Sequence, residues 1–380
     1  MLILYVICGL ALLQGVISLI QGFSAVRHIR TNRPKTDWQP RVVVFCPCKG
    51  VDDGFDKNIA SILNQDYPHR RTVFIVDAES DPAVPILKQS NATLLIAGPA
   101  TARGQKVHNL IHAVEHAAGD AEVFVFCDAD ARFPKTWITN LIAPLDQTTV
   151  AVATGYRWYA AETGSLPSLL RSSWNASAVT LLGDHTGNFA WGGSMALRRE
   201  VFERIGVRQA WDGAVSDDYA VTLAARRADM RIAFVPACLI PSHGDTTWSG
   251  LLEFTTRQML ITRVYEPRMW RMALLSQTIF NLAFWGGLLF PWPFSLVTPG
   301  IYFLGGIKSN MRYNAVAHVL PESALSKHRW SYILLAPLTA LLFEYNLVCS
   351  ALTRKIKWRQ IQYRLISSNR TVVLRGDDES

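Results

Sequence analysis

Cysteine is scarce and poorly spaced for metal or redox chemistry. Six cysteines are scattered at positions 8, 46, 48, 127, 238 and 349, and no Cys-x-x-Cys pair occurs among them. That absence excludes a zinc ribbon and a thioredoxin-type centre. Cys46-Pro-Cys48 has only one residue between its thiols, which suits buried packing better than a metal site. The set reads as small core residues in a reducing compartment. Glycine motifs are also missing: no Gly-x-Gly-x-x-Gly and no Gly-x-x-x-x-Gly-Lys follows an apolar run. Dinucleotide binding and P-loop phosphate binding are therefore unsupported. Charged residues make up only 18% of the chain, and the mean hydropathy of +0.14 is high for a purely soluble protein. The excess of +8 has no nucleic-acid motif beside it. It gathers next to apolar segments, as at Arg354, Lys355, Lys357 and Arg359, and suits anionic headgroups or phosphorylated substrates rather than nucleic acid.

What the chain does have is long apolar runs. Residues 2–22 carry no charge, and at about 1.5 Å per residue they match a hydrocarbon core of about 30 Å. No basic stretch precedes the run and no small-residue cleavage site closes it, so an uncleaved anchor is expected rather than a signal peptide. Arg27, Arg30, Arg33 and Lys35 follow, and the positive-inside rule then places the next segment in the cytoplasm. A second apolar region, from about Met272 to Ile307, is interrupted at Pro291-Trp292-Pro293. A third runs from Ser331 to Ser350 with Glu344 as its only acid. The expected organisation is an anchor over 1–23, a cytoplasmic domain over 33–271, a C-terminal membrane region over 272–351 and a basic cytoplasmic tail over 352–380. About three transmembrane segments result. The positive-inside argument gives orientation only, so the membrane is either a bacterial inner membrane or an internal eukaryotic one.

Between the first two apolar regions, short apolar runs alternate with helical spacing. Val42–Phe45, Thr72–Val76, Leu94–Ala97 and Val123–Cys127 read as strands, and Asp56–Leu63 and Val107–Ala118 as helices. This is an α/β pattern with a mostly parallel sheet, whose ligands bind at the carboxyl ends of strands. Two acidic clusters fall there: Asp77, Glu79 and Asp81 after the second strand, and Asp128-Ala129-Asp130 after the fourth. Alternation puts Asp128 and Asp130 on one side, the arrangement that a hard cation bridging a diphosphate requires. Arg132 is a nearby phosphate partner. Taken alone, such a pair is more often a solvated turn.

Asp217-Asp218 opens an Ala-rich helix, where acids also serve to complement the helix dipole. A group transfer to a hydroxyl needs one carboxylate to take the acceptor's proton, and Asp218 is the candidate base, with Asp217 its acidic partner. Lys49-Gly50 and Arg103-Gly104-Gln105-Lys106 are loops suited to phosphate, or simply turns. His243, in Pro241-Ser242-His243-Gly244-Asp245, is a weaker candidate third metal ligand.

Together these motifs resemble family 2 type glycosyltransferases, and most of all the ceramide glucosyltransferase branch. The resemblance rests on Lys49-Gly50-Val51-Asp52, Asp66-Tyr67-Pro68, Asp81-Pro82-Ala83, Lys106 with Asn109-Leu110, Cys127 to Arg132, and Asp218-Tyr219. Ile356-Lys357-Trp358-Arg359 with Tyr363-Arg364-Leu365 is similar to the basic end of that branch. It implies a GT-A type nucleotide-diphospho-sugar transferase fold and Mn²⁺ or Mg²⁺ at Asp128 and Asp130. It also implies Asp81 near the nucleoside, and Asp218 as base. Donor contacts are then expected from Lys49, Asp77, Glu79, Asp81, Lys106, Asp128 and Arg257. The branch carries a Gln or Arg, two residues, then Arg-Trp, and here the chain departs. Arg257 fits the first position, but Leu260 and Ile261 replace the pair, with Arg263 the nearest substitute if the segment bends.

The expected function is a membrane-bound inverting transferase moving a sugar, from UDP first of all, to a membrane lipid such as a ceramide. No obligate protein partner is inferred. A processive polysaccharide synthase would need a larger helical bundle, and a catalytically silent nucleotide-sugar binder would fit the altered Arg-Trp position.

Overall fold

The computed structural model describes residues 2–374 apart from 34, 291, 293, 323, 324 and 326. In chain order the first half comprises α1 (Leu2–Thr31), β1 (Val42–Pro47), α2 (Phe55–Leu63), β2 (Arg70–Val76), α3 (Val84–Leu87), β3 (Thr93–Ile96), α4 (Gln105–Ala117), β4 (Val123–Cys127), α5 (Trp137–Ile142), β5 (Val150–Tyr159) and α6 (Leu166–Val179). There follow β6 (Ser194–Arg198), α7 (Arg199–Arg204), α8 (Val207–Trp211), α9 (Asp217–Arg227), β7 (Arg231–Ser242) and α10 (Trp248–Tyr265). The chain closes with α11 (Pro267–Leu289), α12 (Val297–Val316), α13 (Ser331–Leu334), α14 (Ala336–Leu352), β8 (Lys355–Trp358), β9 (Ile361–Ser367) and β10 (Arg370–Leu374). Residues 375–380 of the expected tail, and Pro291 and Pro293, lie outside the described residues.

Two compact units divide the chain: a sheet unit of residues 32–157, 184–242 and 355–374, and a helical unit of residues 2–31, 158–183 and 243–354. The sheet unit holds seven strands in the order β3-β2-β1-β4-β6-β5-β7. β3, β2, β1 and β4 run parallel, and β6 is inserted antiparallel between β4 and β5. The expected α/β architecture with a mostly parallel sheet is what the chain adopts. Strands β1 and β4 lie in mid-sheet and are apolar along almost their whole length because both faces are covered; all five residues of β4 are buried. Val44, Phe74, Val125 and Trp137 share one core cluster. Each contributes on the order of 2 kcal/mol through removal from water. Helix α2 shows how the covering layer is attached: Gly54 enters it left-handed at φ 73°, and Phe55, Ile59 and Ile62 recur along one buried face.

The segment read as a basic tail folds into a second, three-stranded antiparallel sheet, β10-β9-β8. Its alternation is plain in the structure: Ile356, Tyr363 and Leu365 are buried, while Lys355, Lys357 and Arg364 point outward.

In the helical unit, Leu2–Thr31 and Pro267–Leu289 are long and apolar enough to cross a membrane, and Ala336–Leu352 is a shorter apolar helix. The middle apolar region holds two helices, α11 ending at Leu289 and α12 beginning at Val297. Contacts fix their directions. Gly300 lies against Leu12 and Gly15 against Leu304, and Lys308 Nζ donates to Ser18 Oγ at 2.6 Å, so α1 and α12 are parallel. Trp270 meets Ser350, Thr278 meets Glu344 and Asn281 meets the Ala340 carbonyl, so α14 is antiparallel to α11.

Candidate functional site

Strand order decides where the site forms. From β1 the chain winds outward to β2 and β3, then returns to place β4 on the other side of β1. The crevice outside the carboxyl ends of β1 and β4 is the switch point of the sheet, the usual ligand position in open α/β folds. The loop Lys49–Asp52 leaves β1 there, and Asp128 leaves β4 beside it.

Two further segments bring charge to the same place. Gly104 caps α4 and packs so closely on residue 215 that a Cβ would lie 2.7 Å from the Val215 carbonyl oxygen. Its N–H donates to the Ala214 carbonyl at 2.9 Å. This ties the start of α4 to the start of α9. Lys106 consequently sits 2.7 Å from Asp128 Oδ1 and 3.1 Å from Asp217 Oδ2. Burial would lower the Lys106 pKa, but the carboxylates of Asp128, Asp217 and Asp218 hold it well above its ordinary value.

Asp217 is 2% exposed, and desolvation pushes its carboxyl up to about 6, opposed by Lys106 and reinforced by Asp218 and Asp128. A carboxyl with a raised folded-state pKa stabilises the fold when protonated, and that contribution is lost as pH rises through about 6. Asp217→Asn escapes the loss. We expect its thermal stability in detergent to gain on the wild type by up to about 3 kcal/mol between pH 4 and pH 8. A constant difference across that range would contradict the burial argument.

Asp218 is half-buried and held by backbone. Its Oδ1 accepts from Tyr219 N at 2.8 Å and from the Ser216 hydroxyl, and its Oδ2 accepts from Gly192 N at 3.1 Å. Ser216 is also the N-cap of α9, so the ordinary capping role of this segment is real and belongs mainly to the serine.

Asp128 and Asp130 lie in the turn that follows β4 rather than on the strand, so alternation does not set their placement; Arg157 brings the two carboxylates together. Its Nη2 lies 3.2 Å from Asp128 Oδ2 and 2.7 Å from Asp130 Oδ1, and its Nη1 lies 3.1 Å from Asp130 Oδ2. Burial would raise the Asp130 pKa, but Arg157 holds it below the usual carboxylate range. The guanidinium also covers the Trp191 ring, 5.1 Å from its centroid. Arg157 is not legible as a site residue, since its partners lie 27 and 29 positions away in the turn after β4.

Gly155, one strand repeat before Arg157, is pressed against β7, where an added Cβ would run into the Cys238 carbonyl. Gly155→Ala should therefore cost about 1–3 kcal/mol in thermal unfolding, the range for overpacking. It should also displace Arg157.

The remaining expected donor residues divide between the units. Lys49 pairs with Asp77. Asp81 accepts from Gly50 N and Ala83 N, fixing the Lys49–Asp52 loop against the end of β2. Glu79 is exposed and pairs with Lys88 at 3.0 Å. Arg103 pairs with Asp212 at 2.9 Å. His243 and Arg257 belong to the helical unit. His243 Nδ1 lies 3.7 Å from Glu162, and Arg257 lies 3.5 Å from Glu253.

Two carboxylates with hard oxygen donors fit Mg²⁺ or Mn²⁺ held jointly with phosphate, which uses one or two protein carboxylates rather than a cage. Among the described residues no group of three or more His, Cys, Asp or Glu forms such a cage. Charge agrees with the fit. Asp128, Asp130, Asp217 and Asp218 outnumber Lys106 and Arg157.

A family model described as glycosyl transferase family 21 matches residues 3–371, nearly the whole chain. The chain belongs to glycosyl transferase family 21. It is therefore a sugar transferase, and no curated protein matches it. Among solved structures, the mannosyltransferase PcManGT from Pyrobaculum calidifontis, in complex with GDP-Man and Mn²⁺, is 18% identical. The match covers 92% of this chain and 98% of that one, with a TM-score of 0.49. A mycobacterial protein is 15% identical over 64% of this chain and 78% of its own, with a TM-score of 0.42. GalNAc-T7 with UDP, GalNAc and Mn²⁺ is 12% identical over 71% of this chain and 55% of its own, with a TM-score of 0.43.

In this family 21 chain, Leu260 and Ile261 are buried within α10, so the positions of the missing Arg-Trp are given over to packing. Arg263 is already engaged. It donates to the Ser350 and Thr353 carbonyls at the end of α14 and lies over the Trp270 ring. Helix α10 runs unbroken through both arginines, so the bend that would let Arg263 substitute does not occur.

Proposed function

We propose that this protein is a membrane-bound, inverting glycosyltransferase that moves a sugar from a nucleotide sugar, UDP-linked first of all, onto a membrane lipid such as a ceramide. The observation that carries the reading is the meeting of the Asp128–Asp130 pair with Asp217–Asp218 around one shared cation, Lys106, at the switch point of the sheet. One acidic pair serves the donor and the other the acceptor. Asp128 and Asp130 would hold Mn²⁺ or Mg²⁺, which when bound neutralises the departing diphosphate.

Asp218 takes the proton of the acceptor hydroxyl as the sugar is attacked from the face opposite the nucleotide, so configuration inverts. Its hydrogen bonds from Gly192, Tyr219 and Ser216 fix the carboxylate's direction before the acceptor arrives. Lys106 holds Asp128 and Asp217 in place. Lys49 and Asp81 shape the loop that faces the nucleotide. The apolar α1 and α11 support membrane attachment. The basic residues after α1 support a catalytic unit on the cytoplasmic side.

The test is release of nucleoside diphosphate by detergent-purified protein over UDP- and GDP-sugars, with Mn²⁺ or Mg²⁺, with and without a total lipid extract. Metal-dependent release that rises with lipid supports the reading. Nucleotide binding without release across the whole panel favours the catalytically silent binder, a reading supported by the packed Leu260–Ile261 positions.

A further inference from the structure

Arg359 stands where a hairpin seldom places such a residue. β8 and β9 pair with Trp358 opposite Ile361, which leaves Arg359 and Gln360 as a two-residue turn. Both have positive φ, 49° and 69°. Turns of this type favour Asn-Gly, because a Cβ crowds the backbone in the left-handed region. Arg-Gln here is a strained choice, and residues kept under such strain concentrate at ligand clamps.

The turn is pinned from several sides within the sheet unit. Arg359 Nη1 donates to Asp52 Oδ1 at 2.6 Å, and Nη2 donates to Oδ2. The Tyr363 hydroxyl accepts from the N–H of Gln105, the residue before Lys106, at 3.2 Å. Gly213 lies so close to the Asn369 carbonyl that a Cβ there would collide with it. The hairpin is thus docked on the loop that leaves β1 and on the start of α4. Hydrogen bonding to Asp52 holds the Arg359 pKa above its ordinary value against partial burial, and the charges of Asp52, Asp130 and Asp128 add to it.

Exposure separates this cation from the others. The Arg359 side chain is 44% exposed and its partner Asp52 38%, whereas Arg157 is 11% exposed and Lys106 16%. Arg359 is therefore more accessible to an anion from solvent than Arg157 or Lys106. Exposed ion pairs are weak, so Asp52 is readily given up. A guanidinium also matches two phosphate oxygens at once.

We propose that Arg359 is a donor-binding residue that exchanges Asp52 for the diphosphate of the nucleotide sugar; the assignment rests on the glycosyltransferase reading above. Asp52 then acts as a resident competitor for the same guanidinium.

Binding of UDP and of uridine to full-length protein, measured by calorimetry for wild type, Arg359→Gln, Arg359→Lys and Asp52→Asn, tests it. Arg359→Gln should weaken UDP by about tenfold or more and leave uridine within about twofold. Arg359→Lys should retain part of the affinity. Asp52→Asn should tighten UDP by about threefold. UDP affinity unchanged in Arg359→Gln overturns the proposal while leaving the transferase reading intact. Equal losses in Arg359→Gln and Asp52→Asn also overturn it, because they mark a purely structural pin. Wild type that binds neither UDP nor GDP fails at the earlier step, and both readings fall.

Discussion

Asp218→Asn is expected to reduce sugar transfer by about a thousandfold, within the range for loss of a general base, while donor affinity changes by no more than about threefold. The substitution keeps the volume and the Oδ1 acceptor for Tyr219 N, so α9 still starts where it does. It places an amide N–H₂ against Gly192 N, which now donates to Asp218 Oδ2. That local mismatch costs about 1 kcal/mol and should not unfold the protein. Asp128, Asp130 and Lys106 remain as they are, so the donor side is preserved. Single-turnover transfer alongside calorimetric donor binding separates the two effects. Transfer above about one tenth of wild type would remove Asp218 from the base position.

Arg157→Met is expected to raise the affinity for free Mn²⁺ by about tenfold or more and to destabilise the metal-free protein by about 2–4 kcal/mol. All four oxygens of the acid pair already have protein partners: Lys106 takes Asp128 Oδ1, and Arg157 takes the other three. A cation binding to Asp128 and Asp130 therefore competes with a guanidinium already in place. Removing that guanidinium leaves Asp130 without its ion-pair partner and Asp128 with Lys106 alone, which explains the lost stability. The penalty stays below that of a fully buried pair because Asp130 keeps 36% of its side chain exposed. Adding Mn²⁺ should restore much of the thermal stability in the variant and do little in the wild type. Mn²⁺ titration followed by electron paramagnetic resonance reads the affinity directly. Equal affinity in both proteins would show that Arg157 does not compete with the metal.

The parts of this molecule legible from sequence are those whose signal is local. Val123–Cys127 is an apolar run because β4 is covered on both faces, and Asp128 marks where that cover ends. Asp217 and Asp218 open α9 beside an N-capping serine, so their place at a helix start could be read, though not that Asp217 is the buried one. Arg157 gave no local signal. Its role depends on β6 being inserted antiparallel between β4 and β5, an arrangement set by the whole sheet. The final strands were obscured differently. Lys355-Ile356-Lys357-Trp358 alternates correctly, but its charges and the Arg359-Gln360 turn resemble a basic tail more than a hairpin. The Leu260–Ile261 departure was visible as a missing motif, whereas the engagement of Arg263 by the end of α14 required the packed helices.

The last strands belong to the sheet unit even though residues 243–354 of the helical unit come before them in the chain. Synthesis proceeds from the N-terminus, and units fold as their residues emerge. The sheet unit therefore cannot be completed until the helical unit has been made. A nascent chain halted before residue 355 carries Asp128, Asp218 and Lys106 but lacks the hairpin that docks on Asp52 and Gln105. Translation order thus makes synthesis of the helices a prerequisite for a completed sheet unit, and a ribosome-stalled fragment should bind nucleotide sugars more weakly than the full chain.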